Sequence, residues 1–147
     1  MNNEAVIIDA VRTPYGKRND QLRQWRPDSL LASTIAALVQ RTGVSPDKVE
    51  EVIIGCVSQA GEQAANVGRL AALLSGLPPA VAGVALNRMC GSSQQALHFA
   101  AQAVAAGDMD YVIAGGVESM KRVPMFLEVT LGQSEFRGFE SLNPALL

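Results

Sequence analysis

Two thiols and one imidazole are the only side chains of their kind in this chain of 147 residues, and one thiol stands where it could react. Cys90 lies within Val84-Ala-Leu-Asn-Arg-Met-Cys-Gly-Ser-Ser-Gln-Gln-Ala-Leu97. The apolar start reads as a short buried strand, Asn87-Arg88-Met89 as a sharp turn, and Cys90 as the opening of a helix. Gly91, Ser92 and Ser93 are small, so the amides of that first turn can approach a ligand closely. Those amides lack intrahelical acceptors and lie at the positive end of the helix dipole, and both effects favour thiolate over thiol. A thiolate so placed suits covalent acyl transfer. A lone cysteine between apolar segments is also commonly a small buried hydrophobe, and position alone leaves both readings open.

The other candidates are weaker. Cys56 falls inside the apolar run Glu51-Val-Ile-Ile-Gly-Cys-Val57 with no reactive neighbours, so it reads as structural. His98 sits about two helical turns beyond Cys90, too far to take its proton directly, and reads as a satisfied structural histidine. Two cysteines and one histidine are too few for a disulfide framework or a soft-ligand metal site. No Gly-x-Gly-x-x-Gly follows a strand and no Walker-type lysine is present, so those nucleotide-binding loops are not supported.

The elements that must position Cys90 alternate between strand and helix. Ala5–Ala10 is a β-branched apolar run, expected as the first strand. Lys17 to Arg26 is expected to be a solvated loop, with Trp25 packing on a neighbouring domain. Pro27 to Thr42 carries Leu30, Leu31, Ile35, Leu38 and Val39 at helical spacing, and Gly43 marks its stop. Ser45-Pro46 begins a single helical turn. Glu51 to Val57 is the second strand, its unbroken apolar run suited to burial on both faces. Ser58 to Ala65 is expected as a loop, and Asn66 as the cap of a helix reaching about Ser75 and closed by Gly76. Pro78-Pro79 forces an extended entry to the third strand, Ala82 to Leu86. A helix over Gly91 to Ala106 follows, stopped by Gly107. Gln94, His98 and Gln102 form its one polar stripe, so it is expected to lie between two layers. Tyr111 to Gly115 is the fourth strand. The alternation implies an α/β fold with a mostly parallel sheet and helices on both faces.

Composition narrows the partners. Hydrophobic residues make up 48% of the chain and charged ones 18%, below the usual quarter, which points to surfaces buried against something else. A net charge of −2 without a basic run argues against nucleic acid or an anionic membrane surface. No apolar run reaches the length of a membrane span, and Met1-Asn-Asn-Glu4 lacks a basic signal-peptide start. The expected compartment is the reducing cytoplasm.

Two blocks carry a family resemblance. Asn87-Arg-Met-Cys-Gly-Ser-Ser-Gln-Gln-Ala-Leu97 and Ala106-Gly-Asp-Met-Asp-Tyr-Val-Ile-Ala-Gly-Gly-Val-Glu-Ser-Met120 resemble the thiolases. In that family a Cys-x-Ser-x-x-x-Ala turn is followed by an Ala-Gly-Gly-x-Glu-Ser-Met strand end. Arg12-Thr-Pro-Tyr-Gly16 resembles a third, weaker signature, while Lys17 to Arg26 departs from the family's Gly-rich pattern. The resemblance implies a mixed, mostly parallel sheet of order 3-2-4-5-1, with the Cys90 helix buried between the sheets of two similar halves. Only the first half is legible, with strand 5 absent. Residues 1–120 are expected to be an incomplete N-terminal half and 121–147 the truncated start of a cap segment. Met120-Lys-Arg-Val-Pro-Met125 resembles the exit into that cap. The family's Asn-Glu-Ala-Phe, Gly-His-Pro and Cys-x-Gly blocks are not found. The chain is therefore expected to be a fragment, a truncated product or one part of a split protein.

For the complete enzyme the resemblance implies that Cys90 forms an acyl-cysteine from CoA thioesters, activated by histidine from the Gly-His-Pro block. It implies no metal and no bound cofactor beyond those thioesters, and a homodimer or homotetramer. No CoA-binding residue can be assigned in this chain. The alternatives are a decarboxylating condensing enzyme of the ketoacyl synthase type, and a non-catalytic, associating product. Ala114-Gly-Gly-Val-Glu-Ser-Met120 and Arg12-Thr-Pro14 favour the thiolase.

Overall fold

The computed structural model describes residues 4–17 and 21–130. The expectation for 131–147 as the start of a cap lies outside the described residues, as do three positions of the expected loop, 18–20. Three parallel strands make the sheet: β1 (Glu51–Gly55), β2 (Ala82–Leu86) and β3 (Val112–Gly116), in spatial order β2-β1-β3. These are the second, third and fourth expected strands, so the order matches the 3-2-4 portion of the expectation. Glu51 aligns with Ala82 on one side and with Val112 on the other, and Gly55 aligns with Leu86 and Gly116. All three strands therefore end level, on one carboxyl edge.

The central strand's pleat divides the core. Val52 and Ile54 face a cluster with Leu31, Ala32 and Ile35 of α1 (Pro27–Thr42) and Val67, Ala71 and Ala72 of α2 (Val67–Leu74). Ile53 points the other way, against Ala96 and Ala100 of α3 (Ser92–Ala106). Helices on both faces explain why β1 is apolar at consecutive positions.

The local signals perform as expected. Asn66 caps α2 by accepting from the Arg69 amide at 3.1 Å. Gly43 (φ 67°) and Gly107 (φ 79°) end α1 and α3 in the left-handed conformation that glycine adopts without a Cβ penalty. The expected turn at Ser45-Pro46 is a 3-10 turn over Pro46–Lys48. Two expected loops each contain another, over Gln21–Gln24 and Gly61–Gln63. A short helix, α4, spans Leu127–Thr130.

Two expectations need correction. Ala5–Ala10 is not a strand: its backbone joins no sheet among the described residues, and Val6, Ile7 and Ile8 are 74%, 71% and 60% exposed. A β-branched run forms a strand only where a neighbour takes its hydrogen bonds, and none of the three described strands does so. The second correction concerns α3. Its inner face buries Ser92, Gln95, Ala96 and Ala100, but Leu97 and Phe99 are nearly half exposed beside the polar stripe. The sheet covers one face of the helix, and the described residues bring no second layer to the other. His98, on the polar stripe of that open face, is exposed. Trp25 is likewise about half exposed.

Candidate active site

The carboxyl edge of the sheet gathers the loop after β1, the turn after β2 and the loop after β3. Each contributes to the seat of Cys90. The helix opens later than expected: Gly91 is the N-cap of α3 and Ser92 its first residue, which leaves Cys90 one position outside. The cause is a tight turn that forms first. Gly91 N–H donates to the Arg88 carbonyl at 3.1 Å and Ser92 N–H to the Met89 carbonyl at 3.0 Å. These amides close the turn, so the picture of a first turn wholly open to ligand is corrected at Gly91 and Ser92.

Met89 bends the chain there, with φ at 49°. A residue with a side chain adopts that region at a cost of about 1 kcal/mol, and here side chains hold it. The Asn87 Oδ1 accepts from Met89 N–H at 2.8 Å. Ser92 Oγ donates to the Met89 carbonyl at 2.6 Å and accepts from Arg88 N–H at 2.9 Å. Arg88 also donates from its guanidinium to Gln95 Oε1, one turn into α3.

The seat under α3 is made by absent side chains. A Cβ on Gly55, at the end of β1, would collide with the backbone of Ser92 and Ser93. One on Gly116, at the end of β3, would overlap Ser93 Oγ. The sheet's carboxyl edge thus receives the first turn of α3 at backbone contact.

Glu118 ties the edge together. Its carboxylate accepts from Val57 N–H at 2.8 Å and from Gln63 Nε2 at 2.8 Å. Gln63 is fully buried; its Nε2 also donates to the Ser58 carbonyl and its Oε1 accepts from Ser119 N–H at 2.7 Å. Farther out, Arg122 donates to both oxygens of Glu62, which also accepts from Arg26, while Arg26 pairs with Asp28 at 2.8 Å. The bonds from Arg122 hold the Glu62 carboxyl below the usual carboxylate range, and those from Arg26 do the same for Asp28.

The two thiols separate as the sequence suggests. Cys90 is exposed and Cys56 is buried. Burial, with the nearby charges of Glu118 and Glu128 adding to it, pushes the Cys56 thiol up to about 12. Cys56 is therefore inert at neutral pH, and Cys90 is the thiol that a substrate could reach. His98 stands apart on the open face of α3. Among the described residues no three His, Cys, Asp or Glu side chains gather as a metal site. Sequence reasoning placed Asn87 in the turn and Ser92 in the first turn of the helix but missed the bonds they make, and it missed Gln63. An Asn two residues before a bent position is the turn-forming pattern that could have shown the first.

Most of the chain is similar to known proteins. The chain is 48% identical to the beta-ketoadipyl-CoA thiolase of Acinetobacter baylyi over 97% of its own length and 38% of that protein's. It is 45% identical to a steroid 3-ketoacyl-CoA thiolase of Mycobacterium tuberculosis over 88% of its length and 32% of that protein's. Among solved structures, the Bacillus anthracis acetyl-CoA acetyltransferase superposes with a TM-score of 0.76 at 38% identity. That likeness covers 82% of this chain and 31% of the other. The chain thus spans about a third of the length of the curated relatives it matches. Residues 5–143 match the N-terminal domain of thiolase, and the chain belongs to the thiolase family.

Proposed function

We propose that this chain supplies the acyl-accepting half of a thiolase reaction, with Cys90 as the nucleophile. The observation that carries the reading is the exposed thiol of Cys90 on a turn pinned at the carboxyl edge of a parallel sheet, where α/β folds bind their ligands. In the breakdown direction the Cys90 sulfur attacks the 3-keto carbon of a 3-ketoacyl-CoA. The bond between C2 and C3 breaks, the shortened acyl group stays on sulfur, and the departing acetyl-CoA carbanion takes a proton. A second CoA thiol then displaces the acyl group. Synthesis runs the same steps in reverse, and splitting the reaction this way gives ping-pong kinetics. The Cys90 amide, beside the α3 N-terminus, would donate to the oxygen on which charge develops. The base that activates Cys90 and the acid that protonates the carbanion are supplied by groups other than His98.

The test is complementation. The chain alone should not turn over acetoacetyl-CoA above background, because catalytic groups act as a unit. Co-expressed with the carboxyl-terminal remainder of the Acinetobacter baylyi relative, it should show thiolysis that Cys90→Ala abolishes. A stable complex in which Cys90 is never acylated would overturn the reading. Turnover by the chain alone, lost in Cys90→Ala, would show instead that His98 or another local group is the base.

A further inference from the structure

We propose that Asn87 is a positioning residue for the nucleophile, a strut between the turn that carries Cys90 and the loop that leaves β1. The proposal rests on the acyl-cysteine reading above. Two bonds of opposite sense define the strut. Asn87 Nδ2 donates to the Val57 carbonyl at 3.1 Å, and Asn87 Oδ1 accepts from Met89 N–H at 2.8 Å. One partner is a carbonyl and the other an N–H, so only one orientation of the amide satisfies both.

Both ends of the strut are themselves held. At the far end, Val57 N–H donates to Glu118, which Gln63 anchors in turn. At the near end, the Ser92 hydroxyl grips the Met89 carbonyl. Met89, the residue before Cys90, thus has its N–H fixed by Asn87 and its C=O by Ser92. Its φ of 49° is the one strained element of the turn, and the Asn87 bond falls directly on it.

Asn87 is exposed, so it contributes little to core packing, and an exposed polar residue is ordinarily replaced at small cost. Its bonds instead fix Met89 and so where the sulfur of Cys90 can stand. A nucleophile displaced by even about 1 Å loses much of its advantage. The Asn87 side chain acts on the sulfur through Met89 and is not itself a catalytic group.

The experiment measures alkylation of Cys90 by iodoacetamide in the 147-residue chain, resolved by peptide mass, for wild type, Asn87→Ala and Asn87→Ser. Cys56 labelling in the same samples monitors folding, and glutathione serves as a free-thiol reference. Wild-type Cys90 should react far faster than Cys56, its rate expressed relative to glutathione. Asn87→Ala removes both bonds of the strut and should slow it roughly three- to tenfold, about the worth of the bond that falls on Met89, with Cys56 still protected. Asn87→Ser can accept Met89 N–H in the same two-residue turn but cannot span to Val57, so it should restore part of the rate. A purely structural asparagine would change Cys56 protection and melting and leave the Cys90 rate alone.

A wild-type rate in Asn87→Ala with Cys56 protected would overturn the proposal and leave the nucleophile reading standing. A wild-type Cys90 as slow as the buried Cys56 would sink both. If Asn87→Ala exposes Cys56, Asn87→Ser decides: a rate below wild type supports the strut, and an equal rate overturns it.

Discussion

Gly116 and Ser93 come so close that a single Cβ on the glycine would occupy the place of the serine hydroxyl. That contact joins the end of β3 to the first turn of α3, and Gly55 makes the equivalent contact from β1. The Cys90 turn therefore rests on two strand ends that cannot carry side chains.

Gly116→Ala and Gly55→Ala should each lower stability by about 2–3 kcal/mol, the usual cost of overpacking. Gly91→Ala is the control. A Cβ there meets only the Arg88 carbonyl, at 3.4 Å, and φ is −92°, so its cost should stay under about 1 kcal/mol. Urea denaturation of the three variants checks the ranking. Equal midpoints would mean that α3 is not seated on the strand ends.

The contrast between the thiols gives a second expectation. Cys56 is buried and its thiol is pushed up to about 12, so almost none of it is thiolate at neutral pH. Iodoacetamide should modify Cys90 at least about a hundredfold faster than Cys56 in the folded chain. Equal rates would remove the case for Cys90 as nucleophile. The raised value also sets a pH dependence. Folding favours the neutral Cys56 thiol, so its contribution to stability is complete below the unfolded value of about 8.5. It is lost as pH climbs from there through about 12, and Cys56→Ala should flatten that alkaline decline.

At the acid end the relevant groups are Glu62 and Asp28. Hydrogen bonds from Arg122 and Arg26 lower both, so their contribution is present above the ordinary carboxylate range of about 4 and fades as pH falls through the depressed values. With 25% of the Glu62 and 29% of the Arg122 side chain open to water, the pair is partly screened, so Glu62→Gln should lower the melting temperature by about a few degrees at pH 7. The wild-type advantage should vanish at low pH. A difference that persists at pH values acidic enough to protonate Glu62 in the folded chain would show that packing, not charge, holds the segment around Arg122.

How much of the fold and the site was legible in the sequence follows from the range of each interaction. Helix α1, its Gly43 stop and the Asn66 cap depend on neighbours within a few residues, and periodicity reveals such things. The exposure of Cys90 was legible because the turn that carries it is local. The Glu118–Val57 and Arg122–Glu62 bonds join residues about sixty positions apart, and no local pattern encodes them. Ala5–Ala10 shows the opposite failure. Its β-branched composition is a strand signal, but a strand is a property of two segments, and composition describes one.

That N-terminal run supplies the last prediction. The sheet has one inner strand, β1, bonded on both sides, while β2 and β3 each have one side without a strand partner among the described residues. Amide exchange should therefore be slowest in β1, faster in β2 and β3, and near the unprotected rate across Ala5–Ala10, whose Val6, Ile7 and Ile8 are open to water. Unpaired edges beside exposed β-branched and aromatic side chains also invite pairing between chains, so the 147-residue chain should associate as its concentration rises. Exchange measured over a dilution series separates the two effects. Protection of Ala5–Ala10 that grows with concentration would mean that another copy supplies the missing neighbour. Protection independent of concentration, in a monomer that melts cooperatively, would contradict the three-stranded arrangement and place Ala5–Ala10 in the sheet of its own chain, along the free side of β3.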